Sequence, residues 1–279
     1  MKTVIGIDVG GSTTKIIGVR FEEQNTRPIL MQPLQVKAND PKTSIYGAFG
    51  RYISENGMKI TDVSRIMVTG VGSTFIKEDI YGIPTIHVEE FEALGLGGLY
   101  LTGLENAVII SMGTGTSFVK ANKNGSRHLG GTGVGGGTLV GLSSQMLDVR
   151  HFDSIVEMST RGDLANVDLT VGDISKRKIS TLNEETTASN FGKIKDNVTK
   201  DDIARGIVNM IFQTVGIMAV FACNNDGTKD AVLCGSLATI PDTAAYFDMI
   251  EKLHGITFHL PEYPEYCTAI GATLKEEIK

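Results

Sequence analysis

The sequence predicts an α/β fold of two related lobes, because one strand-and-glycine pattern occurs twice along the chain. The first copy occupies residues 4–15 and the second residues 109–117, and in this alignment Thr13 falls on Thr116. Alternating apolar residues are typical of a strand, and the glycines behind them allow a tight turn. Two such turns facing each other would hold a nucleotide polyphosphate. We therefore expect a nucleotide cleft between two α/β lobes.

Composition and charge narrow the class of protein. With 279 residues, 41% of them hydrophobic, the chain is long enough for two lobes with separate cores. Its net charge of -6 disfavours nucleic-acid binding, which usually needs a basic face. Cys223, Cys234 and Cys267 are widely spaced, and the opening residues are typical of a strand rather than a signal peptide. We expect reduced, buried thiols and a cytoplasmic protein.

One segment has the length and apolar character of a membrane span. Residues 206–225 carry no formal charge, yet Asn209, Gln213 and Gly216 interrupt the apolar run. A helix buried on all sides between lobes or subunits shows the same pattern. We expect such a buried helix and no membrane association.

The elements of the first lobe, residues 1–104, follow from local periodicity. Strands are predicted over 3–9, 14–20, 29–36, 65–68 and 86–88, helices over 44–55 and 89–103, and a turn at 69–73. That turn follows the end of a strand, which is where ligands lie in open α/β sheets.

The second lobe, residues 105–279, is predicted in the same way. Strands are expected over 107–110, 117–121 and 231–234, a hairpin turn at 122–125, a glycine-dense loop over 130–137, helices over 138–147 and 200–225, and a last strand and helix near the end. Residues 150–200 are polar and mixed, and periodicity assigns them no structure.

Two charged side chains flank the first glycine turn. Asp8 ends the strand, and a carboxylate there suits Mg²⁺, which prefers few carboxylates together with phosphate oxygens. The alternative is an aspartate that caps its own turn. Lys15 returns along the hairpin and can neutralise phosphate, or it is a solvated strand lysine.

The segment 130–138 holds six glycines and leads into a helix. So many glycines are costly in conformational entropy, which disfavours a passive connection. We expect free backbone N–H groups and the positive end of the helix dipole to bind phosphate here. The segment matches neither GxGxxG nor the P-loop pattern, and a plain flexible loop is the alternative.

A group of acids follows the strand at 86–88. Phosphorylation of a hydroxyl needs a carboxylate that orients the nucleophile and accepts its proton, and Glu89, Glu90 and Glu92 are candidates. Acids in the first turn of a helix are equally ordinary capping residues. The five histidines are scattered, so we expect no zinc site.

The glycine turns with Asp8 and Lys15 resemble those of the actin-like ATPase superfamily, whose two lobes are ribonuclease H-like. Four further stretches resemble type II pantothenate kinases, the staphylococcal and eukaryotic-like enzymes: EFEA at 90–93, GTGVGGGT at 131–138, GDLANVDLTVGDI at 162–174 and TASNFG at 187–192. The last two are the most specific, and the resemblance covers most of the chain.

The resemblance implies ATP-dependent phosphorylation of the terminal hydroxyl of pantothenate, the first step of coenzyme A synthesis, by a homodimer. It makes Glu90 the general base and a substrate contact, and Asp8 the residue that holds Mg²⁺. It assigns ATP binding to Asp8, Val9, Gly10, Gly11, Ser12, Thr13, Thr14, Lys15, Thr114, Gly115, Gly135, Gly136, Gly137, Thr138, Gly235 and Ser236.

The chain departs from the family at one substrate contact. The family carries an arginine directly before its Val-Gly-Gly segment, whereas this chain has His128 there and Arg127 one position earlier. Neighbours on a strand point to opposite faces. Either a bulge turns Arg127 inward or His128 takes part of its role. We favour Arg127, because the requirement for charge usually outranks strict register.

Three alternatives share this pattern. A sugar kinase would use the same ATP machinery, although the cysteine-rich zinc motif of one such group is absent from the sequence. An ATPase activator of acyl-CoA dehydratases would need paired cysteines for an iron–sulfur cluster, and these cysteines are scattered. A non-catalytic nucleotide-binding relative would lack Asp8, Lys15 and Glu90, and all three are present.

Overall fold

The computed structural model describes residues 2–22, 28–37, 40–175 and 183–275. Its strands are β1 Lys2–Val9, β2 Thr13–Phe21, β3 Ile29–Leu30, β4 Leu34–Lys37, β5 Val63–Thr69, β6 Thr85–His87, β7 Asn106–Met112, β8 Thr116–Asn122, β9 Gly125–Thr132, β10 Leu169–Thr170, β11 Thr187–Ser189, β12 Asp230–Cys234 and β13 Thr257–His259. Its α-helices are α1 Pro41–Glu55, α2 Glu90–Thr102, α3 Gly136–Met146, α4 Phe152–Arg161, α5 Val171–Ile174, α6 Lys200–Asp226, α7 Thr243–His254 and α8 Cys267–Leu274.

Two mixed sheets confirm the predicted α/β class. The first sheet has the order β3-β2-β1-β5-β6, with β4 also paired to β2, and the second has the order β13-β12-β7-β8-β9. In each, an antiparallel hairpin (β1–β2 or β7–β8) lies beside strands that run parallel to its first member. The duplicated sequence pattern therefore reflects two sheets of the same design.

Helices α2 and α8 lie between the two sheets. The N-terminal α2 packs on β7, β8 and β9, while the C-terminal α8 packs on β1, β2 and β5. The two helices also contact each other, and a Cβ atom at Gly271 would lie 1.8 Å from the carbonyl oxygen of Ala93. Each sheet is thus covered by a helix from the other half of the sequence. The boundary at residue 104 stays a prediction.

The long apolar helix α6 is a core element. It is long and apolar enough to cross a membrane, yet 61% of its apolar window is buried inside the protein. Ile207, Ile211, Phe212 and Val215 have at most 1% of their surface exposed and belong to the main core of the second lobe. The prediction of a buried helix is confirmed.

Three segments differ in detail from the predictions. The strand expected over 29–36 is two short strands, β3 and β4, separated by residues that include Pro33, which cannot donate to a strand ladder. The turn expected at 69–73 continues as a 3-10 helix, Val71–Phe75. The first three residues of the glycine-dense segment 130–137 belong to β9.

The unassigned region 150–200 is organised by a buried carboxylate. Asp168 is 1% exposed and accepts hydrogen bonds from the Asn209 amide at 2.7 Å, the Asn190 amide at 3.2 Å and the Phe191 N–H at 2.9 Å. These bonds join α6 to the segment around β11. Because the partners are far apart in sequence, local periodicity could not reveal this network.

Candidate active site

The two glycine turns face each other. The hydroxyl oxygens of Ser12 and Thr114 lie 3.3 Å apart, within hydrogen-bond distance, and thus join the turn after β1 to the turn after β7. The first turn is closed by the Gly10 N–H, which donates to the Thr13 carbonyl at 3.0 Å. Gly11 and Ser12 are exposed at its tip. The facing hairpins expected from the duplicated pattern are present.

Asp8 and Lys15 are directly paired across the β1–β2 ladder. Burial raises the pKa of the Asp8 carboxyl, and the positive charge of Lys15, only 8% exposed, opposes that rise. The next pair, Val9 and Thr14, is completely buried, so these two side chains are not exposed to the cleft. The hairpin therefore brings one carboxylate and one ammonium group to the turn.

Asp8 fits a magnesium ion that arrives with a nucleotide. Among the described residues, no three His, Cys, Asp or Glu side chains are grouped so that they could hold a metal ion. Mg²⁺ is often bound through one or two carboxylates together with substrate phosphates and water. A single carboxylate beside facing glycine turns agrees with that coordination.

The glycine segment before α3 corrects one expectation. The N–H groups of Gly136 and Gly137 are not free for phosphate, because they donate to the carbonyls of Gly113 and Thr114, both at 2.8 Å. The Gly135 N–H lies 3.2 Å from the Thr138 hydroxyl. The glycines allow the start of α3 to lie against the β7–β8 turn, backbone to backbone. These glycines therefore permit close packing of the two turns.

The segment after β12 lies beside the β7–β8 turn and the start of α3. Gly235 follows β12, and a Cβ atom there would lie 2.5 Å from the Met112 carbonyl oxygen at the end of β7. Ser236 begins the 3-10 helix Ser236–Thr239. Leu237 in that helix lies 3.7 Å from the Cβ position of Gly136. The predicted nucleoside segment is therefore adjacent to the β7–β8 turn and the start of α3.

The end of β5 touches Asp8. Gly70 has a φ of 84°, and a Cβ atom at this position would lie 2.5 Å from the Asp8 Oδ1. The glycine lets the β5 backbone approach the carboxylate that an alanine would displace. The sequence predicted a ligand-binding edge at this turn, but only the structure shows that Gly70 lies against Asp8.

Glu89 and Glu90 have different roles. Glu89 is exposed and caps α2, where its carboxylate accepts the Glu92 N–H at 2.8 Å. Glu90 is half-buried, and burial, then the negative charges of Asp8 and Glu89, raise the pKa of its carboxyl. A carboxylate with a raised pKa near a second carboxylate is typical of an acid–base site. The structure therefore separates a capping acid from a candidate base.

Arg127 and His128 lie on opposite faces of β9. The His128 ring stacks on Phe91 in α2, with ring centroids 4.1 Å apart. The Arg127 guanidinium, 65% exposed, donates to Asp226 at the end of α6 at 2.8 Å. A register shift does occur in β9, but it lies beyond His128, opposite Phe118, and does not turn Arg127 toward α2. Of these two residues, His128 is therefore the one that lies beside the helix that carries Glu90.

Solved structures share this fold. The activator of 2-hydroxyisocaproyl-CoA dehydratase from Clostridium difficile, with bound ADPNP, aligns over 99% of this chain and 95% of its own, with a TM-score of 0.70 and 16% identity. A ROK family protein from Streptococcus pneumoniae TIGR4 in complex with sucrose aligns over 99% of both chains, with a TM-score of 0.59 and 13% identity. The predicted two-lobed actin-like ATPase fold is confirmed.

Sequence relatives agree with the family suggested by the motifs. A type II pantothenate kinase of Bacillus thuringiensis subsp. konkukian (strain 97-27) is 28% identical over 254 residues, which cover 85% of this chain and 83% of that enzyme. The type II pantothenate kinase of Oceanobacillus iheyensis is 28% identical over 84% of both chains. The family model named Fumble matches residues 106–275, more than half of the chain, and the protein therefore belongs to the Fumble family.

Proposed function

We propose that the protein is a pantothenate kinase, which transfers the γ-phosphoryl group of ATP to the terminal hydroxyl of pantothenate. The observation that carries the proposal is the half-buried Glu90 at the start of α2, which is close enough to Asp8 for the charge of Asp8 to raise its pKa. Asp8 in turn lies beside the first of the two facing glycine turns. The names of the sequence relatives supply the substrate.

Glu90 acts as the general base. Its position at the first turn of α2 brings its carboxylate near the Asp8 end of β1, where a phosphoryl group bound by the turns would lie. The hydroxyl proton of the substrate passes to Glu90 as the hydroxyl oxygen forms its bond to the γ-phosphorus. The bond from that phosphorus to the bridging oxygen breaks, and ADP leaves.

The nucleotide is held by the facing turns. Ser12 and Thr114 present hydroxyls at the contact between the lobes, and Lys15 supplies positive charge beside Asp8. Mg²⁺ bound with ATP would neutralise charge on the phosphates, and Asp8 would hold it. Gly235 and Ser236 would lie by the nucleoside, next to the start of α3.

The proposal also covers the residue that contacts the substrate and the oligomeric state of the protein. His128 occupies the family's substrate-arginine position and lies beside Phe91, one residue after the base. A homodimer in the cytoplasm is expected by resemblance to the family. Light scattering on the purified protein tests the dimer, and a mass of one chain would contradict it.

A substrate-panel assay of ADP release tests the reaction. We expect Mg²⁺-dependent ADP production with pantothenate, and a product heavier than pantothenate by one phosphoryl group in mass spectrometry. Turnover of a hexose without turnover of pantothenate would refute the proposal and favour a sugar kinase, the activity class of one fold neighbour, a ROK hexokinase from Thermus thermophilus with a TM-score of 0.54.

A further inference from the structure

Val71 is an exposed apolar side chain in a fixed position at the proposed active site. It begins the 3-10 helix that follows β5, and 68% of its surface is exposed. The turn is closed by the Ser73 N–H, which donates to the Gly70 carbonyl at 3.0 Å. Sites for small molecules combine apolar surface with a few polar groups that fix orientation.

Both neighbours of Val71 pack on the end of β1. A Cβ atom at Gly70 would lie 2.5 Å from the Asp8 Oδ1, and one at Gly72 would lie 2.5 Å from the Val9 Cγ1. These two close approaches, to Asp8 on one side and to Val9 on the other, hold the Val71 backbone at the end of β1. Val71 therefore has little freedom to move away from the site.

The candidate base lies on the other side of the same strand. β5 lies between β1 and β6, and all three strands run parallel. The Val88 N–H donates to the Val68 carbonyl at 2.9 Å, so the segment leading to Glu90 runs beside the one leading to Val71. The order at this edge is Asp8, Val71 and Glu90.

Pantothenate has apolar groups next to its reacting hydroxyl. The CH₂OH group that would react is attached to a carbon that carries two methyl groups. That carbon is two bonds from the oxygen that must lie between the base and the phosphoryl group. The strand that leads to Val71 lies between the strands that lead to Asp8 and to Glu90, so an exposed apolar residue just after its end is placed to cover those methyl groups.

We propose that Val71 determines specificity by packing against the two methyl groups beside the reacting hydroxyl. This inference rests on the proposed pantothenate kinase activity. It makes Val71 a substrate contact that favours a branched carbon next to the hydroxyl over an unbranched one.

The test compares two substrates and three variants. The substrates are pantothenate and an analogue that lacks both methyl groups, and the variants are Val71→Ala, Val71→Thr and the control Phe75→Ala. Phe75 is 61% exposed at the other end of the same 3-10 helix. The readouts are kcat/KM for each substrate, KM for ATP and the melting temperature.

We expect Val71→Ala to lower kcat/KM about tenfold for pantothenate and by no more than about twofold for the analogue, since a lost methyl contact acts only on a substrate that has the methyl group. Val71→Thr, which keeps the shape and replaces one methyl group by a hydroxyl, should change selectivity in the same direction. Phe75→Ala should leave the selectivity between the two substrates unchanged.

The outcomes separate the two proposals. Equal losses on both substrates, or no loss with either Val71 variant, would overturn the role of Val71 while leaving the kinase proposal intact. A wild-type protein that does not phosphorylate pantothenate would overturn the kinase proposal and this inference with it.

Discussion

The His128 imidazole lies flat on the Phe91 ring, with centroids 4.1 Å apart and planes inclined by 5°. Phe91 directly follows Glu90, so this contact joins β9 to the first turn of α2. Arg127 lies on the other face of the strand, paired with Asp226. Arg127 and His128 are neighbours on β9, yet only His128 lies against the helix that carries the proposed base.

This placement predicts unequal effects of two substitutions. We expect His128→Ala to lower kcat/KM for pantothenate about tenfold or more, because it removes a polar side chain beside the substrate site and the stacking partner of Phe91. Arg127→Ala should change kcat/KM by no more than about twofold, since the exposed Arg127 guanidinium points to Asp226, away from α2, and Asp226 keeps Lys120 as a second partner. The reverse order in steady-state kinetics would show that Arg127 reaches the substrate.

The second prediction concerns the base. Glu90→Gln keeps the shape of the side chain but removes the carboxylate that accepts a proton, so kcat should fall about 10²–10⁴-fold. Nucleotide affinity, measured by calorimetry, should stay nearly unchanged. The matched control is Glu89→Gln, which keeps a capping oxygen for the Glu92 N–H and should retain most activity. A larger loss in the control would assign the base to Glu89.

The third prediction is a pH profile. Glu90 accepts a proton only when it is ionised, and its pKa is raised by burial and by the charges of Asp8 and Glu89. Activity is therefore present above that raised pKa and is lost as the pH falls through it, at a higher pH than an ordinary glutamate would give. Glu89→Gln removes one of the charges that raise this pKa. The acid limb of kcat/KM should then move to lower pH, and an unmoved limb would count against Glu90.

The fourth prediction uses two glycines with positive φ. Gly70→Ala would place a Cβ atom 2.5 Å from the Asp8 Oδ1, so it should displace the carboxylate and reduce activity at least about tenfold. Gly57 also has a positive φ, 62°, but a Cβ atom there meets no atom within 4 Å. Gly57→Ala should cost about 1 kcal/mol of stability at unchanged kcat. Equal kinetics for both variants would exclude a positioning role for Gly70.

The fifth prediction distinguishes two sides of α6. Ile211 is 1% exposed, so Ile211→Asp buries an unpaired charge and should give insoluble or strongly destabilised protein. Phe221 lies on the same helix and is 68% exposed, so Phe221→Asp should stay folded. Circular dichroism and melting temperatures check both. A stable, soluble Ile211→Asp protein would contradict the core position.

Much of the fold follows from local patterns. Alternating apolar residues before glycines located both hairpins, and the shared spacing of Thr13 and Thr116 revealed that the two sheets have one design. The apolar residues of α6, interrupted by polar ones, indicated a buried helix. These features can be predicted from local sequence, because a strand, turn or helix depends on the backbone preferences of neighbouring residues and on the spacing of its apolar side chains.

The tertiary structure decided the rest. Only the tertiary structure shows that α2 packs on the second sheet and α8 on the first, because the sequence of a helix does not indicate which sheet it packs against. Glu89 caps α2, whereas Glu90 is half-buried and close enough to Asp8 for its charge to act on Glu90, and β9 places His128 rather than Arg127 against α2. The glycines of residues 130–137 suggested free phosphate-binding N–H groups, but the β7–β8 turn engages those of Gly136 and Gly137. Contacts between distant segments decide which of two adjacent side chains lies at a site. Sequence spacing shows which side chains share a face of a strand or helix, but it does not show which other element packs against that face.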